Sequence, residues 1–424
     1  MKFHHHRLSN GLDVLAEINP AAYSVAYGFF VRTGARDETP DVSGVSHFLE
    51  HMVFKGTPRH SAEDVNRIFD EIGAIYNAST SEEETAFYAA TLPEYFPVGF
   101  ELLADIMFPS LHEEDFRTEK QVILEEIAMY DDQPASFAVH KAMETHFAGH
   151  PLANPILGTR ESITALPVEA MRRYHRERYR TGNVVLAVSG NIEWDLVRRL
   201  AEEKCGHWPK GSFRRAHPPR VGRRTDKRFP RADLVQQHTV MMCDAPGGTD
   251  RRRIAASVLS FVVGQADNSR LYWELVDPGR AESADLSFLG FDGVGAFIGY
   301  LSCAPEDAEA NATTFRRVLK EVTRYGITQE ELQRAVNKLS TGIVLRGELP
   351  AGRLGAIASE WMYHRRYRSV DDEVKDLQRL SVADVAALLE QFPLDPETTV
   401  VVAPEQTKAS RGAAENAEAV PRRA

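Results

Sequence analysis

Apolar positions along this chain follow two periods. Short runs, alternating or apolar throughout, read as strands at 24–32, 183–188, 232–243 and 398–402, with two more inside 74–92 around the acidic turn 81–84. Longer stretches with apolar residues three or four apart read as helices at 43–55, 61–73, 93–107, 112–132, 169–177 and 192–204. Asn10-Gly11, between apolar runs, predicts an opening hairpin. Gly56 and Pro58 end the helix 43–55, and Ser61 caps the next. Ser110 and Glu113 have capping-box spacing ahead of a run without Pro or Gly that extends to 132. His4, His5 and His6 fall on the first strand, where neighbouring side chains alternate faces; they do not converge on one ion and mark a partly exposed strand.

The helix 43–55 carries His47-Phe48-Leu49-Glu50-His51. Residues four apart on a helix stand one turn above each other, so two imidazoles can meet one metal ion, with Glu50 on the same face. A carboxylate beside zinc-activated water suits a general base, and the order H-x-x-E-H is that of inverted zinc peptidases. A tetrahedral site needs a further protein ligand, commonly a carboxylate. Glu119 and Glu126 lie two turns apart on one face of the helix 112–132, with Val122 and Ile123 between them; Glu125 points away toward solvent. A carboxylate buried among apolar groups is costly unless paired or metal-bound. The competing readings are solvated histidines on an amphipathic helix and an ordinary charged helix face.

The run GVSHFLEHMVFKGT at 44–57, with EKQVILEE at 119–126, resembles the pitrilysin/insulinase family of zinc peptidases in its short form, typified by mitochondrial processing peptidase and its bacterial relatives. RLSNGLDV, NASTSEEETAFYAA, GTRESI and TGNVVLAVSGNI extend the resemblance in order, closely in the first half and loosely in the second. The resemblance implies one zinc ion per chain held by His47, His51 and Glu126, with Glu50 as base and Glu119 as a supporting carboxylate. It also implies that Asn77, Ala78, Ser79 and Thr80 form an edge strand on which an extended peptide substrate lies; an ordinary hairpin is the alternative. Glu82, Glu83 and Glu84 read as a solvated turn or a preference for basic substrates.

The second half repeats the plan of the first. SRLYWELV at 269–276 can be set against SHFLEHMV at 46–53, replacing His47, Glu50 and His51 by Arg270, Trp273 and Glu274. The stretch from Ile327 set against that from Leu111 puts Ala335 and Gly342 where Glu119 and Glu126 stand, a scaffold without the metal site. The fold expected is α+β: two homologous α/β halves, each an antiparallel sheet faced by helices, forming a clamshell-type peptidase subunit around a chamber, as the resemblance implies. The halves are 1–205, with the zinc site, and 232–404; 206–231 is a basic, Pro- and Gly-containing linker, solvated or facing an acidic partner, and 405–424 is an Ala/Glu/Arg-rich tail expected to be disordered.

Many active members of that family carry an Arg and a Tyr seven residues apart in the second half, and the corresponding positions here are Val276 and Ser283. The resemblance therefore implies a zinc-dependent endopeptidase for short or unfolded peptides that is the zinc-bearing subunit of a heterodimer, with a paralogous chain supplying the Arg/Tyr pair; a homodimer is the other arrangement. A non-catalytic binding or assembly subunit with a structural zinc is the alternative function, against which Glu50 argues. The 424 residues suffice for two domains, and a net charge of -11 argues against a general nucleic-acid binder. No apolar run reaches the length of a membrane span, the amino terminus has no targeting character, and three scattered cysteines read as free thiols, so a cytoplasmic protein is expected.

Overall fold

The computed structural model describes residues 1–220 and 222–405. In the first half the elements are β1 (Lys2–Arg7), β2 (Asp13–Ile18), β3 (Val25–Val31), α1 (Val45–Met52), α2 (Ala62–Glu71), β4 (Ile75–Thr80), β5 (Thr85–Thr91), α3 (Phe96–Ile106), α4 (Glu113–Asp132), α5 (Pro134–His146), α6 (Arg160–Ala165), α7 (Val168–Arg178), β6 (Val184–Gly190) and α8 (Trp194–Cys205). The second half continues with β7 (Thr225–Arg231), β8 (Gln237–Ala245), α9 (Arg253–Gly264), a π-helical turn Tyr272–Val276, β9 (Ser283–Phe291), β10 (Val294–Cys303), α10 (Ala308–Tyr325), α11 (Gln329–Gly347), α12 (Pro350–His364), α13 (Val370–Gln378), α14 (Val382–Gln391) and β11 (Thr398–Pro404).

The duplication is plain in the strand order. The first sheet runs β1-β2-β6-β3-β5-β4 and the second β7-β11-β8-β10-β9, the same order once the extra hairpin strand β1 is set aside. Each sheet is antiparallel except for one pair, β2 with β6 and β7 with β11, because the last strand returns beside the first after the helical segment. Two α/β halves built on mainly antiparallel sheets are thus as expected. The edge position of β4, paired only with β5, also follows the reading of 77–80.

The central strands are apolar at consecutive positions because both sheet faces are covered. Val25, Tyr27, Phe29 and Val31 pack with the helices of their own half, whereas Ala26 and Phe30 pack against Leu354, Ile357 and Ala358 of α12. Reciprocally, Val240 and Met242 of β8 and Val400 and Val402 of β11 pack against Ala138 and Ala142 of α5. The halves exchange equivalent helices. Both α5 and α12 begin with proline at their first position, directly after the long helices α4 and α11.

Three expectations change. Residues 225–231 are not linker: β7 pairs in parallel with β11. Within the remaining connection, Arg215 binds Asp37 through two bonds of 2.9 and 2.7 Å and Arg220 pairs with Asp244 and Glu397, so these two arginines are tied into the fold, while Arg214, Arg223 and Arg224 are exposed as a solvated linker would have them. The internal alignment also moves. The helix that follows β8 and packs on α11, as α1 follows β3 and packs on α4, is α9, and Ser269–Val276 takes the place of α2. Arg253–Gly264 contains no His, Asp or Glu, so the second half still has no metal site there. Of the expected tail, 406–424 lies outside the described residues. The three cysteines are free and buried, and no helix among the described residues is long and apolar enough to cross a membrane.

Candidate metal centre

Helix α1 starts at Gly44, whose φ of 88° lies in the left-handed region. A side chain there would also meet Leu157 O at 2.6 Å and Gly158 Cα at 2.8 Å. With no side-chain cap available, the carboxylate of Glu38 accepts the backbone N–H groups of Gly44 and Ser46 at 2.6 and 2.7 Å, satisfying orphan donors of the first turn. Val45, Phe48, Leu49 and Met52 bury one face of α1, and Phe48 stacks on Phe116 of α4 with ring centroids 4.6 Å apart. That contact sets the face bearing His47, Glu50 and His51 opposite the one bearing Glu119 and Glu126. The expected Ser110 capping box does not form; α4 starts after His112, following Leu111 at a φ of 51°.

His47, His51 and Glu126 present ligand atoms within 4.8 Å of one another, the single such cluster of three metal-ligating groups among the described residues. Glu126 Oε2 stands 3.7 Å from His47 Nε2 and 3.6 Å from His51 Nε2. Bonds of about 2.1 Å in tetrahedral geometry separate ligand atoms by roughly 3.4 Å, so the donor set fits zinc in composition and spacing. Glu119 Oε1 accepts from His51 Nδ1 at 2.9 Å, which assigns the proton to Nδ1 and turns the Nε2 lone pair toward Glu126. Lys55, one turn beyond His51, neutralises the other oxygen of Glu119 at 2.6 Å. Glu119 is buried and Glu126 half-buried, but Val122 is 43% exposed, so the face joining the two glutamates is closed by Ile123 alone.

Electrostatics act unequally on the three ligand candidates, and burial raises Glu126, opposed by the neighbouring His51. Burial, then the neighbouring His51, pulls His47 down to about 3, leaving a neutral imidazole. Burial acts the same way on His51, but the Glu119 bond and the charges of Glu50, Glu126 and Glu119 outweigh it and hold His51 above its ordinary value. The bond from His51, reinforced by Lys55, holds Glu119 below the usual range. Burial raises Glu50, opposed by His51 and by a hydrogen bond from Thr80. That bond, 3.2 Å from Thr80 Oγ1 to Glu50 Oε2, ties the base candidate to the end of β4.

Beside the triad is a cavity of about 480 Å³ bounded by His47, Glu50, Glu126, Ser79 and Thr80 on one side and by Phe137, Met143, Leu152 and Ile156 on the other. Ser79 and Thr80 thus face the reacting groups, while Asn77 and Ala78 continue the open edge away from them. The acidic triplet is not a solvated turn. Glu83 is buried, takes bonds from Arg36, Tyr363 and the Asp292 N–H, and joins the two halves; burial pushes Glu84 up to about 7, and Glu82 lines the cavity. Glu38 and Lys55 are the residues that pattern reading missed. Lys55 had a signal, four positions after His51 on the same side of the helix, whereas nothing near Glu38 in the sequence marks it as a cap.

Comparison with known proteins agrees with this geometry. Residues 13–160 match the model of the insulinase family, peptidase family M16, and residues 165–339 match the M16 inactive domain. An uncharacterized zinc protease of Streptomyces coelicolor is 33% identical over 90% of this chain and 85% of its own length. One from Mycobacterium tuberculosis is 31% identical, covering 95% of this chain and 93% of that protein. Among solved structures, a protease from Helicobacter pylori superposes with a TM-score of 0.88 at 22% identity, over 95% of this chain and 99% of the other, a likeness of fold.

Proposed function

The chain belongs to the insulinase family of peptidases, and on that premise we propose that it is a zinc-dependent endopeptidase cleaving short or unfolded peptides. The observation that carries this reading is the convergence of three groups: the His47, His51 and Glu126 triad, the Glu50 carboxylate beside it, and the open edge of β4 tied to Glu50 through Thr80. His47, His51 and Glu126 would hold the zinc, which when bound would supply a Lewis acid for a carbonyl and for water. Glu50, beside the triad, would act as general base toward an attacking water and pass the proton to the leaving amine. Glu119 holds His51 in the tautomer and orientation that expose Nε2. Residues 77–80 pair with an extended peptide backbone, and the cavity beyond them takes one or two of its side chains, a geometry that suits unfolded chains and not folded domains.

Val276 ends the π-helical turn and Ser283 begins β9, so neither position offers the cationic or phenolic donor of many active relatives. This supports an arrangement in which a paralogous chain supplies those donors and the present chain holds the zinc; a homodimer is the competing assembly. The test is mass-spectrometric cleavage of an unfolded peptide mixture by the zinc-loaded chain, with Glu50→Gln alongside and with the paralogue added. Cleavage that Glu50→Gln abolishes is expected, and stimulation by the paralogue would identify the two-chain enzyme. Equal cleavage by both forms would overturn the assignment of Glu50.

A further inference from the structure

Two equivalent turns meet where the halves join. The turn 81–84 connects β4 to β5, and its counterpart by strand order, 292–293, connects β9 to β10. The Asp292 N–H donates to both carboxylate oxygens of Glu83 at 3.0 Å. Tyr363 of α12 donates its hydroxyl to Glu83 Oε2, so the metal-free half supplies two donors to one side chain of the first turn. Within its own half Glu83 pairs with Arg36, and Arg215 from the connection stands 3.6 Å away.

These contacts place a backbone as well as a charge. Arg36 also donates to the Asp292 carbonyl at 2.7 Å, and Arg215 to the Glu83 carbonyl at 2.6 Å. From the other side the N–H groups of Ala35 and Arg36 donate to the carbonyls of Ser81 and Glu82 at 3.2 and 2.8 Å. Gly34 permits that approach, since a Cβ there would lie 2.3 Å from Ser81 O. The Ser81 N–H closes the turn on Glu84 O at 2.8 Å, and the residue before Ser81 is Thr80, whose hydroxyl orients Glu50. Burial, then the charge of Glu83, raises the Tyr363 phenol, which therefore stays protonated and donates. Removing that phenol leaves Oε2 with the Asp292 N–H alone, and an under-bonded buried carboxylate draws in water or moves its backbone.

We propose that Tyr363 is a positioning residue for Glu50: through Glu83 it fixes the turn 81–84, and the turn fixes the Thr80 hydroxyl that orients the carboxylate. The metal-free half thereby serves the metal centre of the same chain without reaching it. The kinetic consequence rests on the peptidase reading, whereas the placement of the turn is read without turnover. A second phenol provides the comparison that separates positioning from mere cohesion of the halves. Tyr367, four residues on, donates at 2.7 Å to Glu17, a buried carboxylate of β2 that Arg353 also binds. Both phenols make the same kind of bond across the same junction, but only Glu83 lies in the turn that carries Thr80.

The test compares Tyr363→Phe, Tyr367→Phe, Thr80→Val and the double variant of Tyr363→Phe with Thr80→Val, in the full zinc-loaded chain with the paralogue present. Tyr363→Phe is expected to lower kcat for an unfolded peptide about three- to tenfold, with KM within about twofold and bound zinc unchanged, while Tyr367→Phe leaves kcat as it is. Because Tyr363 acts through Thr80, the double variant should be no slower than Thr80→Val. Equal losses in the two phenol variants, or effects that multiply in the double variant, give Tyr363 a merely structural role and overturn the proposal. Hydrogen exchange supplies the second readout. The amides of Ser81, Glu83 and Glu84, each bonded within the turn, should lose protection in Tyr363→Phe and keep it in Tyr367→Phe. Unchanged protection in Tyr363→Phe overturns the proposal whatever the kinetics. If no form cleaves, the peptidase reading fails, and exchange still decides whether Tyr363 places the turn.

Discussion

The Thr80 hydroxyl donates to Glu50 Oε2 at 3.2 Å, so the last residue of the open edge strand holds the carboxylate beside the metal triad. Glu50→Gln keeps the size and an acceptor for Thr80 but cannot carry a proton. Its kcat/KM for an unfolded peptide should fall by about 10²- to 10⁴-fold, with bound zinc unchanged by elemental analysis. Thr80→Val removes only the bond that orients the carboxylate, and a loss of under about tenfold is expected.

Glu119 touches no ligand position itself and acts through His51, with Lys55 balancing its charge. Glu119→Gln keeps an oxygen for the His51 N–H but loses the negative charge that makes the ring a better donor to metal. Zinc affinity should drop about 10- to 100-fold in a chelator competition, while the far-ultraviolet spectrum stays the same. An unchanged affinity would return Glu119 to the status of an ordinary helix-face charge.

The site was the most legible part of this chain because its geometry is local. His47, Glu50 and His51 fall within five residues of one helix, and Glu119 and Glu126 within two turns of another, so helical spacing groups each set, and the family resemblance joined the two. Contacts between distant segments were not legible. Arg215 reaches Asp37 across 178 residues, and composition shows only a basic run where the fold makes buried ion pairs. The likeness of SRLYWELV to SHFLEHMV misdirected the internal alignment, since chain order and packing place α9 opposite α1. Consecutive apolar residues in 183–188 signalled a strand, which the fold buries on both faces as Val184–Gly190, but nothing in α12 says whose sheet it covers.

Glu38, which caps α1, is pushed up to about 8 by burial, against the hydrogen bonds from Ser46 and Gly44 that favour its charged form. A folded value above the ordinary 4.5 means that its contribution to stability is whole below that pH and is lost as pH rises through about 8. Glu38→Gln stays neutral throughout and keeps a carbonyl oxygen for the cap. Between about pH 5 and about pH 8.5 the melting temperature of the variant should therefore fall less than that of the parent. A variant that loses as much as the parent over this interval would place the pH dependence elsewhere.

The exchange of α5 and α12 makes the unfolding of the two halves one event. Leu15, Ala26, Phe30, Val185 and Ala187 on the outer face of the first sheet are buried by Leu354, Ile357, Ala358 and Met362 of α12. Arg353 of the same helix is itself buried and binds Glu17 through two bonds of 2.9 Å. If the second half unfolded alone it would take α12 with it, exposing that apolar face and leaving the buried Glu17 carboxylate unpaired. The reciprocal loss of α5 would strip Val240, Met242, Val400 and Val402 of the second sheet. Calorimetry should therefore show a single transition despite two hydrophobic cores. Leu354→Ala should cost about 2–5 kcal/mol and lower the melting of the metal-bearing and metal-free halves together, read by protease cleavage sites on either side of residue 220. Two separate transitions, or loss of protection confined to one half, would show that the exchanged helices do not couple them.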